Sequence, residues 1–283
     1  MNAATRSEAV LITGCSSGIG RATAERLAKS GQTVYATARR LESIADLEKH
    51  GCRPLQLDVT DEQSMATAVK TVEDAEGAVG VLVNNAGYSQ SGAVESVPMD
   101  AVRRQFETNV FGLVRMTQLA LPGMRRQGWG RIITISSMGG RVVFPGGGFY
   151  HGTKFAVEAI SDALRFEVKG FGVGVTVIEP GLIKTEFGTA AVGSLEPASG
   201  DGPYAEFNTA VGATTAGAYD GGGMSRLGAG PDAVAKAIER AIRRPRSRVP
   251  VTASARIMIG LRRVMPDALW DRSMRTNFPT PGS

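Results

Sequence analysis

The stretch "AVLITGCSSGIGR", residues 9–21, decides how the chain is read. A short apolar run meets three glycines, and a helix-period segment, "IGRATAERLAKSG" (19–31), follows and closes on glycine. The first part predicts a strand and the second a helix. Gly14, Gly18 and Gly20 therefore stand at a strand-to-helix turn. Such a turn brings backbone N–H groups at a helix N-terminus close to an anion, and a Cβ would obstruct the approach. The spacing is G-x-x-x-G-x-G rather than G-x-G-x-x-G. Placement after the first strand, more than spacing, carries the dinucleotide reading.

The same rhythm continues outward. Strands are predicted at "TVYATA" (33–38), "RPLQLDV" (53–59), "VGVLVNNAG" (79–87), "GRIITISS" (130–137), "GVGVTVIEPG" (172–181) and "SRVPVT" (247–252). Helices are predicted between them, near 41–50, 61–76, 99–126 and 150–170 and after Pro231. This alternation implies an α/β fold: a parallel sheet with helices on both faces. Right-handed crossovers make it a doubly wound, Rossmann-like, mostly seven-stranded sheet, in a single domain over 1–283. Residues 188–230 break the rhythm with "PASGDGP" (197–203) and "AGAYDGGGM" (216–224), and read as an irregular substrate loop or lid. Residues 253–283 read as a C-terminal helical extension.

Cofactor choice is read at the end of the second strand, where NAD-binding domains carry an acid for the ribose hydroxyls. Here "YATARR" places Ala38 at that point, then Arg39 and Arg40. An acid repels a 2′-phosphate, whereas a guanidinium grips it bidentately. The expectation is NADP(H) over NAD(H), with Ser16 adding a hydroxyl contact. The alternative is that the arginines only line a solvated helix start.

Composition excludes several classes. The formal charge is +5, and from residue 240 onward the arginines meet only Asp267 and Asp271. A basic tail can hold nucleic acid or anionic lipid, but no nucleic-acid motif accompanies it, so none is expected to bind. A solvated basic face or weak peripheral membrane contact through "RIMIGLRRVMPDALW" (256–270) is the better reading. Cys15 and Cys52 lack metal-ligand spacing, and only His50 and His151 occur, so no metal and no disulfide is expected. No apolar run reaches a membrane span, and the N-terminus lacks an apolar signal region. A reducing, cytoplasmic setting is expected.

In "FYHGTKFAVEAI" (149–160), Tyr150 stands four residues before Lys154. Taken alone, this is as readily a structural tyrosine with an unrelated lysine. On a helix the two are neighbours. An ammonium favours a phenolate and lowers the phenol's pKa toward a useful acid–base range.

Seven motifs occur in one order: "TGCSSGIG" (13–20), "LDVT" (57–60), "NNAG" (84–87), "TNVFG" (108–112), "ISS" (135–137), Tyr150-x-x-x-Lys154 and "EPGLIKTEF" (179–187). Over residues 8–187 the chain resembles the short-chain dehydrogenase/reductase family, and most resembles its hydroxysteroid and retinol dehydrogenase branch. The resemblance implies Ser137, Tyr150, Lys154 and Asn109 as catalytic residues. Tyr150 would exchange the substrate proton while hydride passes to or from the nicotinamide. Ser137, thirteen residues before Tyr150, would hold the substrate oxygen; it is preferred to Ser136. Lys154 would also bind the nicotinamide ribose. Asn109, in a distorted helix, would order a water in the proton relay. Ser17 and Ile19 would join the glycine turn at the cofactor. Asp58 would take the adenine amine with Val59 beside the ring, and Asn85, Ala86 and Gly87 would pass under the adenosine ribose. Pro180 and Gly181 would turn beneath the nicotinamide, with Ile183 on its carboxamide and Thr185 on the carboxamide or the diphosphate.

At 100° per residue, Tyr150, Val157, Ile160, Leu164 and Val168 share one side of their helix, and Phe155, Ala159 and Phe166 the other. Glu158, Asp162, Arg165 and Lys169 read as a polar strip between. A second apolar stripe needs a partner. With the 99–126 helix it is expected to meet another subunit, as family members commonly form homodimers or homotetramers. Its alternative cover is the chain's own C-terminal segment. Val142, Val143, Phe144 and Phe149, with Phe187 and Phe207 from the loop, are expected to line an apolar pocket for a lipophilic secondary alcohol or ketone: a steroid, retinoid or fatty-chain carbonyl. Two other functions remain open: a non-catalytic NADP(H)-sensing module, and a basic protein that holds lipid or nucleic acid. An enoyl reductase would use a longer tyrosine–lysine spacing.

Overall fold

The structure is a computed structural model that describes residues 6–195, 202–220 and 226–282. Seven strands form one parallel sheet: β1 (Val10–Ile12), β2 (Val34–Ala38), β3 (Arg53–Gln56), β4 (Val81–Asn84), β5 (Gly130–Ile135), β6 (Val173–Glu179) and β7 (Arg248–Pro250). Their order across the sheet is 3-2-1-4-5-6-7. The order reverses between β1 and β4, where ligands of such sheets bind.

The apolar runs are continuous because both faces are covered. Val10, Ile12, Val34, Ala36, Val81 and Val83 pack under α1 (Gly18–Lys29) and α8 (Pro231–Arg243). Leu11, Tyr35, Leu82 and Ile132 face α2 (Glu62–Glu76) and α4 (Gly112–Arg126) on the other side. Asp61 caps α2 by accepting from the Ser64 N–H. Cys15 and Cys52 are buried and unpaired.

Several elements differ from the sequence reading. Residues 41–50 form two tight turns, Leu41–Ser43 and Ala45–His50, not an α-helix. Their two anchors, Ile44 and Leu47, are three apart, which matches three residues per turn. The helix predicted over 99–126 is α3 (Met99–Phe106), a π-turn at Glu107–Phe111, and α4. The 150–170 helix is α5 (Gly148–Glu167).

The segment expected to be irregular carries α6 (Phe187–Gly193) and α7 (Ala205–Asp220); residues 197–201 and 221–224 of its glycine-rich stretches lie outside the described residues. α7 is held over the sheet's end by Val211 against Gly146 and by Asn208 Oδ1, which accepts from the Ala93 N–H at 3.1 Å. The C-terminal part forms α9 (Ala253–Val264) and α10 (Asp267–Met274). Trp270 donates to the Val143 carbonyl at 3.3 Å and ties α10 to the loop after β5.

The expected polar strip on α5 is only partly solvated. Glu158 is buried, because β7 brings Arg248 beneath it. Phe155 and Phe166 do lie exposed. Among the described residues no helix is long and apolar enough to cross a membrane.

Candidate active site

A cleft of about 800 Å³ opens at the carboxyl ends of β1, β4, β5 and β6. The glycine turn forms its floor. Gly14 and Gly18 have φ of 74° and 57°, the left-handed region that favours glycine. A Cβ on Gly20 would stand 2.2 Å from the Gly14 carbonyl oxygen, so the helix can press against the turn only without one. Asn85 locks this geometry from β4: its Nδ2 donates to the Thr13 and Gly14 carbonyls at 2.8 and 2.9 Å. Thr13 Oγ1 in turn accepts from the Asn85 and Ala86 N–H groups at 3.0 Å each.

The start of α1 fits a phosphate. Ser17 does not cap it with its side chain, and its first turn carries no acid. The leading N–H groups and the positive end of the helix dipole face the cleft. Ser16, Ser17, Gly18 and Ile19 line it, as do Arg39, Asp58, Val59, Asn85, Ala86 and Gly87. Arg39 is exposed and forms no ion pair among the described residues, while Ala38 leaves room beside it. Asp58 Oδ1 is held by the Thr60 N–H and hydroxyl at 2.9 and 2.8 Å.

At the other end, Ser136, Ser137, Tyr150, Lys154, Pro180, Gly181, Ile183 and Thr185 line the same cleft. Ser137 lies two residues beyond β5 and caps the short turn Met138–Gly140, accepting from the Gly139 N–H at 3.0 Å. Its hydroxyl lies close enough to the Tyr150 phenol to favour the phenolate. Burial pushes the Tyr150 phenol well above its usual pKa, and the Ser137 hydroxyl only partly opposes this. The expected lowering by Lys154 is thus corrected for the free cleft. The Lys154 Nζ lies 5.8 Å from the centre of the Tyr150 ring and donates to the Ile135 carbonyl at 2.9 Å. Desolvation outweighs that distant charge. Burial likewise lowers Lys154 to about 8, with Glu158 opposing.

Asn109 does not line the cleft. It sits inside the π-turn, donates to the Tyr88 carbonyl at 2.8 Å and to Thr153 Oγ1 at 3.1 Å, and accepts from the Tyr88 N–H. A Cβ at Gly87 would stand 3.1 Å from Asn109 Oδ1 and 3.7 Å from Lys154 Nζ, so the glycine keeps that passage open. Gly20 is likewise beneath the cleft rather than on it.

The expected aromatic lining is corrected. Phe187 does line the cleft, 5.5 Å from the Tyr150 ring. Val142 is buried, Phe149 packs beside α3, and Phe144 fits between His151 and Trp270. Val143 and Phe207 line a separate groove with Trp270 and Phe278. Tyr88, Arg104, Glu107, Ala190 and Tyr219 line the cleft without having been singled out. Tyr88 follows "NNAG" directly and so could have been found; Tyr219 arrives on α7, and no spacing announces it.

A family profile described as "short chain dehydrogenase" matches residues 8–193. The chain belongs to the short-chain dehydrogenase family. Over 271 residues this dehydrogenase is 31% identical to the uncharacterized oxidoreductase YbbO of Escherichia coli, covering 95% of this chain and 94% of that one. It is 42% identical to a 3-ketodihydrosphingosine reductase of Bacteroides thetaiotaomicron over 63% of this chain and 65% of that protein. It is also 42% identical to human 17-beta-hydroxysteroid dehydrogenase type 1, over 66% of this chain and 60% of that protein. The chain thus spans less than two thirds of the length of both. A short-chain dehydrogenase structure from Streptomyces avermitilis superposes with a TM-score of 0.78 at 33% identity, covering 95% and 96% of the two chains. A serine dehydrogenase complexed with NADP+ gives 0.74 at 27% identity, covering 86% and 94%. Among the described residues of this dehydrogenase no cluster of three His, Cys, Asp or Glu side chains is placed to hold a metal ion.

Proposed function

We propose that this short-chain dehydrogenase is an NADP(H)-dependent oxidoreductase that interconverts a secondary alcohol and a ketone or aldehyde on a lipophilic substrate. The observation that carries the reading is the convergence of Ser137, Tyr150 and Lys154 on one cleft, with Lys154 Nζ 5.8 Å from the Tyr150 ring centre. When bound, the nicotinamide exchanges the hydride and, oxidised, adds a positive charge. Arg39 grips the 2′-phosphate and the start of α1 the pyrophosphate. Asp58, Val59, Asn85, Ala86 and Gly87 border the adenosine, and Pro180, Gly181, Ile183 and Thr185 the nicotinamide end. In reduction, Tyr150 starts protonated and gives its proton to the carbonyl oxygen that Ser137 holds. Lys154 and Asn109 pass a proton back through the passage beside Gly87. In oxidation the same steps run in reverse.

Phe187, Ala190 and Tyr219, brought by α6 and α7, give the substrate end an apolar wall and support residues 188–230 as a lid. The names of the reductase and the steroid dehydrogenase support a lipophilic carbonyl, and the NADP+ complex supports the cofactor. The exposed side of α5 supports a homo-oligomer, and α9 a weak membrane contact. Two unpaired buried cysteines accord with a cytoplasmic setting.

A panel of steroid, retinoid and long-chain acyl carbonyls, followed by NADPH absorbance, tests the reading. Tyr150→Phe is expected to lower turnover at least about 100-fold while NADPH binding, followed by fluorescence, survives. Full turnover by that variant would remove the proposal.

A further inference from the structure

Behind Lys154 the fold buries two carboxyl groups that the proposed reaction does not use. Glu158 lies one turn further along α5 and is 4% exposed; Glu179 ends β6, is 2% exposed, and precedes the cleft residue Pro180. Both carboxyl groups face Arg248 Nε, Glu158 Oε2 at 2.9 Å and Glu179 Oε1 at 3.5 Å, and so share one dry site. Glu158 Oε1 and Glu179 Oε1 have no donor. A buried carboxylate oxygen without a donor is costly, and a proton on one carboxyl lowers that cost for the pair. Like charges in one dry site favour the same proton.

The neighbouring groups do not remove that cost. Arg248 on β7 donates to Glu158 Oε2 at 2.9 Å, stands 3.5 Å from Glu179 Oε1, and gives its other arm to Asp162. Arg141 is 3.7 Å from Glu179 and partly in solvent. Lys154 spends a proton on the Ile135 carbonyl. Ser136 Oγ, buried beside Gly140 near Glu158, is itself without a partner.

We propose that Glu158 and Glu179 hold a single proton between them, and that this pair is a positioning element that sets the charge on Lys154 and braces the Pro180–Gly181 turn. The functional part rests on the reading of the cleft given above. Burial, and then the charge of Glu158, raise Glu179 to about 7. Lys154, lowered to about 8, is supported by Glu158. Both groups titrate near neutrality and meet through one carboxylate. When the shared proton leaves, a second negative charge appears one turn from the ammonium and keeps Lys154 charged to higher pH. The linkage sign is that of a raised acid. The unfolded chain sheds this proton near the usual carboxylate pKa, the folded chain near 7. Stability from the pair therefore falls as pH rises across that window.

Infrared difference spectra of the cofactor-free protein test the proton directly. A protonated-carboxyl band that titrates near pH 7 in the wild type, and is absent from Glu179→Gln, is expected. Carbon NMR of the lysine ε-methylene in the same free protein should show the Lys154 midpoint lowered by about one pH unit in Glu158→Gln. Glu179→Gln supplies an amide donor in place of the proton. It should keep the fold, hold Lys154 charged at neutral pH, and flatten the pH dependence of thermal stability. Absence of the band in the wild type, its persistence in Glu179→Gln, or an unmoved Lys154 midpoint would overturn the proposal. The Glu179→Gln spectrum decides the matter if Glu158→Gln does not fold. None of these readouts needs turnover, so their failure is distinct from failure of the carbonyl panel.

Discussion

Arg39 shows how much one side chain can decide. It follows Ala38 at the end of β2, where an acid would select against a phosphorylated ribose, and its carbonyl is fixed by the Gln56 amide at 3.1 Å. Its guanidinium has no ion-pair partner among the described residues, so its charge is free for a ligand. Arg39→Asp replaces a charge-assisted contact with repulsion. NADPH kcat/KM should fall about 10- to 100-fold while that for NADH is kept or rises. Unchanged preference would refute the role of Arg39. At this scale the sequence was informative about neighbours and weaker about environment. The four-residue spacing puts Tyr150 and Lys154 on neighbouring turns of α5, and their side chains lie 5.8 Å apart, ring centre to Nζ; the thirteen-residue separation favours Ser137, while Ser136 lines the same cleft. Spacing carries no record of desolvation, which is why the sign of the Tyr150 shift in the free cleft was misread. It also cannot tell a cleft wall from a neighbouring groove, which is where Phe207 went.

Among elements, the turn between β1 and α1 tolerates little change. A methyl on Gly20 would meet the Gly14 carbonyl at 2.2 Å and Asn85 Nδ2 at 2.6 Å, atoms that fix the turn from both strands. Gly20→Ala should cost about 1–3 kcal/mol through overpacking and weaken NADPH binding as the turn moves. Gly170 has nothing within 4 Å of an added Cβ, so Gly170→Ala is the matched control and should leave both unchanged. Thermal melts and fluorescence titration decide; a Gly20→Ala protein that matches the control would show that the turn has slack. The alternation of strands and helices was legible because each parallel strand is buried on both faces and so reads as an unbroken apolar run. The π-turn at Glu107–Phe111 was implied only by resemblance, since no periodicity marks one extra residue in a helix. α7 was missed because "AEFNTAVGATTAGAYD" is small and weakly patterned, and its helix depends on packing against the body.

On the scale of the whole molecule, two apolar faces look outward. The first is on α5, where Phe166 is 86% exposed and Phe155 43%, with Phe111 of the π-turn 54% exposed. A second copy would cover it. Light scattering should find an oligomer at micromolar concentration that Phe166→Glu dissociates, and a wild-type monomer would refute the pairing. The second face is on α9, where Ile257, Leu261 and Val264 recur at i, i+4 and i+7 and all lie exposed. Arg256 and Arg263 flank this stripe, and over 253–282 Arg256, Arg262, Arg263, Arg272 and Arg275 oppose only Asp267 and Asp271. Self-contact on this face would set like charge against like charge. An anionic bilayer complements both the charge and the stripe, and is where a lipophilic carbonyl resides. Sedimentation with phosphatidylglycerol vesicles should carry the protein down, weakly and less so as salt rises; pure phosphatidylcholine should not. Leu261→Asp should abolish the effect without changing NADPH binding or oligomeric state. Equal binding to both vesicle types would exclude charge as its basis. Conversion of an oligomer to a monomer by Leu261→Asp would instead assign the face to a subunit contact.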